Sequence, residues 1–518
     1  MDSQQFKEAA ASAVDEIIQY YDTIHERRVV SDVEPGYLKK ILPDGPPQEG
    51  ESWPDIQKDI ETKIMPGLTH WQHPNFMAFF PAITTYPSML GELYSAAFMA
   101  PAFNWMCSPA VTELETIVMD WMAKLLNLPG CYLSSTEGGG VIQGSASEAL
   151  VTVMVAARDK YLRETTAGLS GIELEDAIAY KRGKLVALGS EMVHSCTQKA
   201  TQIVGVRFRS VPVLASNDFA MTGDDLQVVL DECKAQGLEP FFITATLGTT
   251  ATCAVDDFKS IATVLSKHAP PDAPNEIWAH VDAAYAGSAL VCPEFHHLTS
   301  SLQHFHSFDM NMHKWLLVNF DASCLYIKKR KHLIDALSIT PSYLRNEFSE
   351  KGLVTDYRDW QIPLGRRFRS LKIWFVLRSY GVRGMQEHIR RHIKLGELFA
   401  GLVKTRKDLF NIVTGPNFAL TVLTIVPKSA GIDAQNSITK DVYELINKRG
   451  EILLTSSVVQ GTYVIRVVSA NEKAEEKYVR RAFEILVETT EELRDGKAVN
   501  GKAVNGKVNG VVTNGKAE

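Results

Sequence analysis

Several things are scarce in this 518-residue chain. Its seven cysteines are scattered from Cys107 to Cys324 without a Cys-x-x-Cys pair. An odd, unpatterned set excludes a disulfide framework and points to a reducing compartment. Nowhere do ~18 uncharged apolar residues run together, so no membrane span is expected. Basic stripes are also missing. The net charge of -7 is mild and argues against nucleic acid, and Lys328-Lys329-Arg330-Lys331 reads as a solvated strand end. The N-terminus is acidic and amphipathic, with Phe6, Ala9, Ala13, Ile17 and Tyr21 on one helical face. It has neither the basic nor the apolar region of a signal peptide, so a cytoplasmic location is expected. The segment 496–518 contains no aromatic residue and repeats Gly, Lys, Val and Asn, a composition expected to be disordered.

What is present is enough for a large core, since 45% of the residues are hydrophobic. Residues 1–85 read as helix, a Pro/Gly-rich connector and a second amphipathic stretch, expected to pack on a partner subunit. Residues 86–390 alternate helical patterns with apolar runs such as "KLVALGS", "FFITATLGTT", "IWAHVDAAYAG" and "ASCLYIKK". Runs that are nearly continuous in apolar residues mark parallel strands covered on both faces, hence an α/β sheet with helical crossovers. Residues 391–495 read as a small α+β domain.

Within "SFDMNMHKWLLVNFDASCLYIKK", Lys314 sits where buried strand is read on both sides. Lysine is almost never fully buried unless it is paired or chemically used. Its alternative is a buried stem with the amine reaching solvent. Three other features bear on it. "EGGGVIQGSASEA" leads three glycines into Ser145 and Glu148, a capping-box pattern whose free N–H groups suit a phosphate, though an ordinary capped helix fits too. Asp282 ends an apolar strand with no cation nearby in sequence, so it either caps the next helix or pairs with a ligand cation such as a protonated pyridine. His194 follows another strand and, alone, reads more naturally as structural. Together they describe a site for pyridoxal 5'-phosphate, which needs a Schiff-base lysine, a pyridinium partner and a phosphate cradle. No metal is expected.

"NMHKWLLVNFD", "HVDAAYAGSA", "GGGVIQGSASEA", "SPAVTELE" and "DWQIPLGRRFRSLKIWFVLRSYG" together resemble the group II pyridoxal-phosphate decarboxylases, and within them the aromatic L-amino acid decarboxylases. The resemblance covers roughly residues 1–490. It implies a fold-type-I, aminotransferase-like α/β large domain with a mostly parallel sheet, and a homodimer with active sites at the interface. Lys314 would be the covalent anchor, Asp282 the partner of the ring nitrogen, and His194 the ring that stacks on the cofactor. Ala146, Ser147 and Asn311 would hold the phosphate, with Thr246, Ala284 and His313 beside the cofactor. Leu364 and Gly365 would reach the partner's cofactor and substrate. Trp71, Phe79, Phe80, Pro81, Ala82 and Phe103 would line an aromatic slot, which without the resemblance would read as plain core.

The resemblance also implies a proton donor: a tyrosine in a Pro-x-Tyr-Leu setting on a mobile loop, here Tyr343 of "TPSYLRNEF" in the polar segment 336–358. Tyr357 is the tempting wrong choice. Related aromatic acetaldehyde synthases carry phenylalanine there, or replace the stacking histidine with asparagine, and yield aldehyde, ammonia and peroxide. Tyr343 and His194 favour simple decarboxylation to an aromatic monoamine plus CO2. Ala82 offers no hydroxyl to a catechol, and the small Gly365 leaves room for a bicyclic ring. Tryptophan or its hydroxylated forms is therefore the first substrate expectation, with phenylalanine, tyrosine and DOPA open. The alternatives are an aldehyde synthase, an aminotransferase with an arginine for the substrate carboxylate, and a catalytically silent binding protein.

Overall fold

The computed structural model describes residues 1–339 and 347–496. Seven strands form the large sheet: β1 Gly139–Gln143, β2 Leu185–Ser190, β3 Arg207–Val211, β4 Glu239–Thr246, β5 Trp278–Asp282, β6 Ser307–Asn311 and β7 Ser323–Ile327. Their order is β1-β7-β6-β5-β4-β2-β3. All pairings are parallel except those of β7, which runs against both β6 and β1. The mostly parallel α/β sheet expected from the apolar runs is therefore present.

Two readings change. "ASCLYIKK" becomes β7 but is antiparallel. An apolar run reports burial on both faces, not direction. Only residues 312–322 join β6 to β7, which is too short for a crossover. Half of the glycine-rich approach is itself a strand, β1. At Gly140 a Cβ would lie 2.6 Å from Met119 Cε and 2.8 Å from the Tyr326 ring, so close packing requires the glycine there.

Side-chain alternation sorts the sheet into two faces. One carries Ile142, Val186, Ile243, Val281, Met310 and Cys324 into the largest core. The other carries Val141, Leu185, Phe242, Trp278, Leu325 and Ile327 against the helix Ala146–Thr165. On this second face the strands turn polar toward their ends, in rows Thr244/His280/Ser307 and Thr246/Asp282/Asp309. The site grows from that edge.

A four-stranded antiparallel sheet follows, ordered β10-β11-β9-β8, from β8 Phe410–Asn417, β9 Leu420–Ile425, β10 Thr455–Val459 and β11 Thr462–Val468. The helix Arg369–Lys404 joins the two sheets. It kinks at Gly381, whose φ of 61° suits glycine. Beyond the kink, Met385 and Ile389 pack into the large core, while Leu395, Phe399 and Val403 pack on the small sheet. The expected boundary at 390 thus falls inside one helix. Residues near 76 also dock on the small sheet: Met77 N–H donates to Leu453 O at 3.0 Å and Val468 N–H to Met77 O at 3.0 Å. By contrast, the N-terminal helix Ser3–Thr23 buries only Ala9 within this chain.

Candidate active site

Lys314 sits on one helical turn, Met312–Trp315, directly after β6. Met312, His313 and Trp315 are buried, but Lys314 is partly accessible, so the expected burial in a strand is replaced by a turn at a strand end. The turn forms because β6 ends at Asn311 and the chain must double back into β7. Lys314 Nζ lies 5.9 Å from the centroid of the Phe80 ring. That ring stacks on Tyr285 at 3.7 Å and 11°, Tyr285 stacks on Trp315 at 4.7 Å, and Trp315 Nε1–H donates to His392 Nδ1 at 2.9 Å. A column of rings therefore runs from beside the amine into the helix Arg369–Lys404.

Asp282 ends β5, 6% exposed, and its Oδ1 accepts the Ala284 N–H at 3.0 Å. A buried carboxylate with so little compensation calls for a cation. His194 lies in the turn after β2, where its Nδ1 accepts the Cys196 N–H at 3.1 Å. That bond puts the neutral ring's proton on Nε2. Burial holds the ring below the ordinary histidine value; Asp282 pulls it up and Lys314 pushes it down again. His194, Asp282 and Lys314 thus act on one another electrostatically.

The N-terminus of the helix Ala146–Thr165 supplies the anion end. Ser145 Oγ accepts the Glu148 N–H at 3.2 Å, while the Glu148 carboxylate bonds to the Gly144 N–H at 2.9 Å instead of the cap residue's own N–H. The capping box is therefore only half formed, because Glu148 reaches one residue further back. Ala146 and Ser147 are the first two helical residues, whose N–H groups have no intrahelical acceptor.

Buried polar atoms without hydrogen-bond partners among the described residues cluster here. They are Thr246 Oγ1, Asn311 Oδ1, Ser323 Oγ and Gln143 Oε1, at the ends of β4, β6, β7 and β1. Unsatisfied buried groups cost about 1–3 kcal/mol each, so such a cluster implies an absent polar ligand. A flat ring carrying a phosphate, a hydroxyl and a protonatable nitrogen suits these groups, since the Thr246 and Ser323 hydroxyls can donate and the amide oxygens of Asn311 and Gln143 accept, and it suits the helix N-terminus and Asp282. Ala284, 7% exposed, lies beneath the same edge. His313 is committed to packing: its Nδ1 accepts the Ala322 N–H at 2.9 Å, its ring lies 4.4 Å from Phe320, and burial pushes it down to about 3.

Of the expected aromatic slot, Phe80 faces Lys314, with Pro81 buried beside it. Trp71 and Phe79 form their own stacked pair at 5.5 Å, 38% and 49% exposed. Ala82 is half-buried, its carbonyl accepting from Gln72 Nε2. Phe103 O accepts the Arg358 N–H at 3.2 Å and Pro101 O the Arg366 N–H at 3.1 Å, which ties the segment holding Leu364 and Gly365 to the one holding Phe103. Leu364 and Gly365 are exposed there, and a Cβ on Gly365 would meet nothing within 4 Å among the described residues. Tyr343 lies outside the described residues. Tyr357 is 3% exposed, its hydroxyl 2.9 Å from Thr116 Oγ1 and its ring under the Arg366 guanidinium at 4.9 Å.

Sequence reasoning missed Arg466. It is 4% exposed on β11, and its guanidinium stands 5.3 Å from the centroid of the slot's Phe80 ring. Nη1–H donates to Thr455 Oγ1 at 2.9 Å and Nε–H to Ala251 O at 3.2 Å. The signal was available: a charge inside the apolar run "TYVIRVV" is as anomalous as Lys314 in its own run. Asp256, 2% exposed, was missed as well; its carboxylate accepts the N–H groups of Thr246 at 2.7 Å and Met221 at 2.8 Å and so fixes the end of β4.

Comparison with known proteins agrees with this chemistry. The family model "Pyridoxal-dependent decarboxylase conserved domain" matches residues 35–426. An aromatic-L-amino-acid decarboxylase of Rattus norvegicus is 42% identical, covering 93% of this chain and 97% of the relative. A phenylacetaldehyde synthase of Arabidopsis thaliana is 43% identical, covering 94% and 96%. The crystal structure of Oryza sativa TDC with PLP and tryptamine superimposes with a TM-score of 0.90 at 35% identity, over 95% of this chain and 99% of that one. The lysine, the carboxylate, the helix N-terminus and these relatives together make the chain a member of the group II pyridoxal-phosphate-dependent decarboxylases, in their aromatic amino acid family.

Proposed function

We propose that this chain decarboxylates aromatic L-amino acids to aromatic monoamines, with tryptophan or its hydroxylated forms preferred. The observation that carries this reading is the Phe80 ring, stacked flat on Tyr285 and facing the Lys314 amine. It offers an aromatic surface beside the amine that would anchor the cofactor. Bound pyridoxal phosphate supplies an electron sink for the pair released when the Cα–carboxylate bond breaks. Lys314 would anchor it, Asp282 would hold the proton on its ring nitrogen, and Ala146, Ser147 and Asn311 would take its phosphate. His194 would stack on the ring, with Nε2–H left free by the bond that Nδ1 accepts from the Cys196 N–H. The apolar walls exclude water from the departing carboxylate.

Tyr343 delivers the proton to the substrate Cα in this reading. Tyr357 is poorly placed for that role, its hydroxyl being tied to Thr116 in the core. The runner-up, aldehyde synthase chemistry, is favoured by the 43% identical phenylacetaldehyde synthase. Tyr343 and His194 weigh against it. A second copy of the chain completes the site in this reading. Phe6, Val14, Ile17, Ile18, Leu90 and Phe98 are 41–60% exposed, a run of apolar surface that a monomer would leave in water. Incubation with tryptophan, 5-hydroxytryptophan, phenylalanine, tyrosine and DOPA, measuring amine, CO2 and peroxide together, is expected to give amine and CO2 in equal amounts. Lys314→Ala should abolish both while leaving a folded protein. Stoichiometric peroxide from the parent enzyme, or CO2 release surviving in Lys314→Ala, would refute the proposal.

A further inference from the structure

A second buried carboxyl stands beside Asp282. Asp309 on β6 pairs in register with Asp282 on β5, and neighbouring strands lie ~4.8 Å apart, so both acids project from the same face. Asp309 is 1% exposed. Its Oδ1 lies 3.0 Å from His280 Nε2, while its Oδ2 is buried with no partner among the described residues. His280 is itself fully buried. Its Nδ1 lies 2.9 Å from Ser307 Oγ, which accepts the Trp278 Nε1–H at 2.9 Å. An indole N–H can only donate. The Asp309 Oδ1 that faces Nε2 accepts its N–H, so the Nδ1 of the neutral ring accepts the Ser307 hydroxyl, whose oxygen also takes the indole N–H.

This file of four side chains fixes one oxygen of Asp309 and leaves the other bare. Burial pushes the carboxyl up to about 6; the His280 bond opposes that and Asp282 reinforces it. The other groups that face it are Lys314, after β6, and the thiols of Cys196 and Cys324. Two adjacent buried carboxylates resist ionising together unless a cation joins them.

We propose that Asp309, held by His280, is a second anion beneath the cofactor, acting through Asp282 to keep the ring nitrogen protonated. It is a positioning residue, and the inference rests on Asp282 being the nitrogen's partner. A protonated ring nitrogen is the cation that lets both acids ionise. Cofactor binding therefore releases the Asp309 proton, and affinity rises with pH through the range where the empty protein holds that proton.

The test is binding of pyridoxal 5'-phosphate to the apo-protein between pH 5 and 8, for the parent, Asp309→Asn and Asp282→Asn. Asparagine mimics the protonated acid. The variant should bind about tenfold more weakly at pH 8, the equivalent of one pKa unit, and nearly equally at pH 5. A ratio that stays constant with pH, at one or at any other value, overturns the proposal, because a merely structural role carries no proton. If Asp309→Asn does not fold, His280→Phe removes the donor but keeps a ring. It should move the parent's pH midpoint upward, and an unmoved midpoint overturns the proposal equally. Asp282→Asn tests the underlying reading separately. Unchanged affinity in that variant sinks the nitrogen assignment, whatever Asp309 does.

Discussion

Phe80→Leu isolates the ring that faces the amine. Leucine keeps the substituted position apolar and of similar bulk, so the transfer loss is small. What disappears is the face of the ring. The stack on Tyr285 at 3.7 Å is worth about 1 kcal/mol. The Arg466 guanidinium at 5.3 Å, almost fully desolvated, adds roughly 1–2 kcal/mol, and the partly accessible Lys314 at 5.9 Å about 0.5–1 kcal/mol. The sum is a loss of roughly 2.5–4 kcal/mol. Urea unfolding of the apo-protein measures it, and Trp315, stacked on Tyr285, reports from the same column. A cycle with Tyr285→Leu should return about 1 kcal/mol of coupling. A Phe80→Leu loss below about 0.5 kcal/mol, within the range of an ordinary surface substitution, would refute the view that the ring face carries these contacts.

Three further outcomes are expected. Tyr343→Phe should retain bound cofactor but convert amine output into aldehyde and peroxide, read by chromatography and a peroxidase-coupled assay; an unchanged amine yield removes Tyr343 from the reaction. Arg366→Met should strand Glu115, which is 1% exposed and ion-paired to Arg366, and cost about 3–5 kcal/mol in denaturant unfolding. Adding Glu115→Gln should recover part of that loss. Burial pushes His388 down to about 3, below its unfolded value near 6.5. The unfolded chain therefore binds more protons at acid pH, and His388 contributes stability above pH 6.5 that drains away as pH falls toward 3. His388→Phe should flatten the slope of stability against pH over that interval by close to one proton.

Much of the large sheet could be read directly. "KLVALGS", "FFITATLGTT" and "IWAHVDAAYAG" became β2, β4 and β5 because fully covered parallel strands need continuous apolar runs. β3 gave no such signal, since "RFRSV" lies at the sheet edge with only Val211 buried. β8 was overlooked for a similar reason: its residues are mostly half-exposed. At the site, Asp282 and Lys314 were conspicuous as charges beside apolar stretches. Asp309 and Arg466 met the same criterion and passed unnoticed, because their partners His280 and Phe80 are close only after folding. Tyr285 and Trp315 carried no signal of their own, and the ring column they build depends on the segment holding Phe80, the ends of β5 and β6 and a helix meeting, which no local pattern encodes.

Among the described residues, chain neighbours aside, no atom lies within 4 Å of where a Cβ on Gly365 would stand. Folding therefore places no veto on what side chain appears at that position. Packing within this chain leaves natural variation there unconstrained, and a saturation library at 365 would test the proposed substrate role with little interference from misfolded clones.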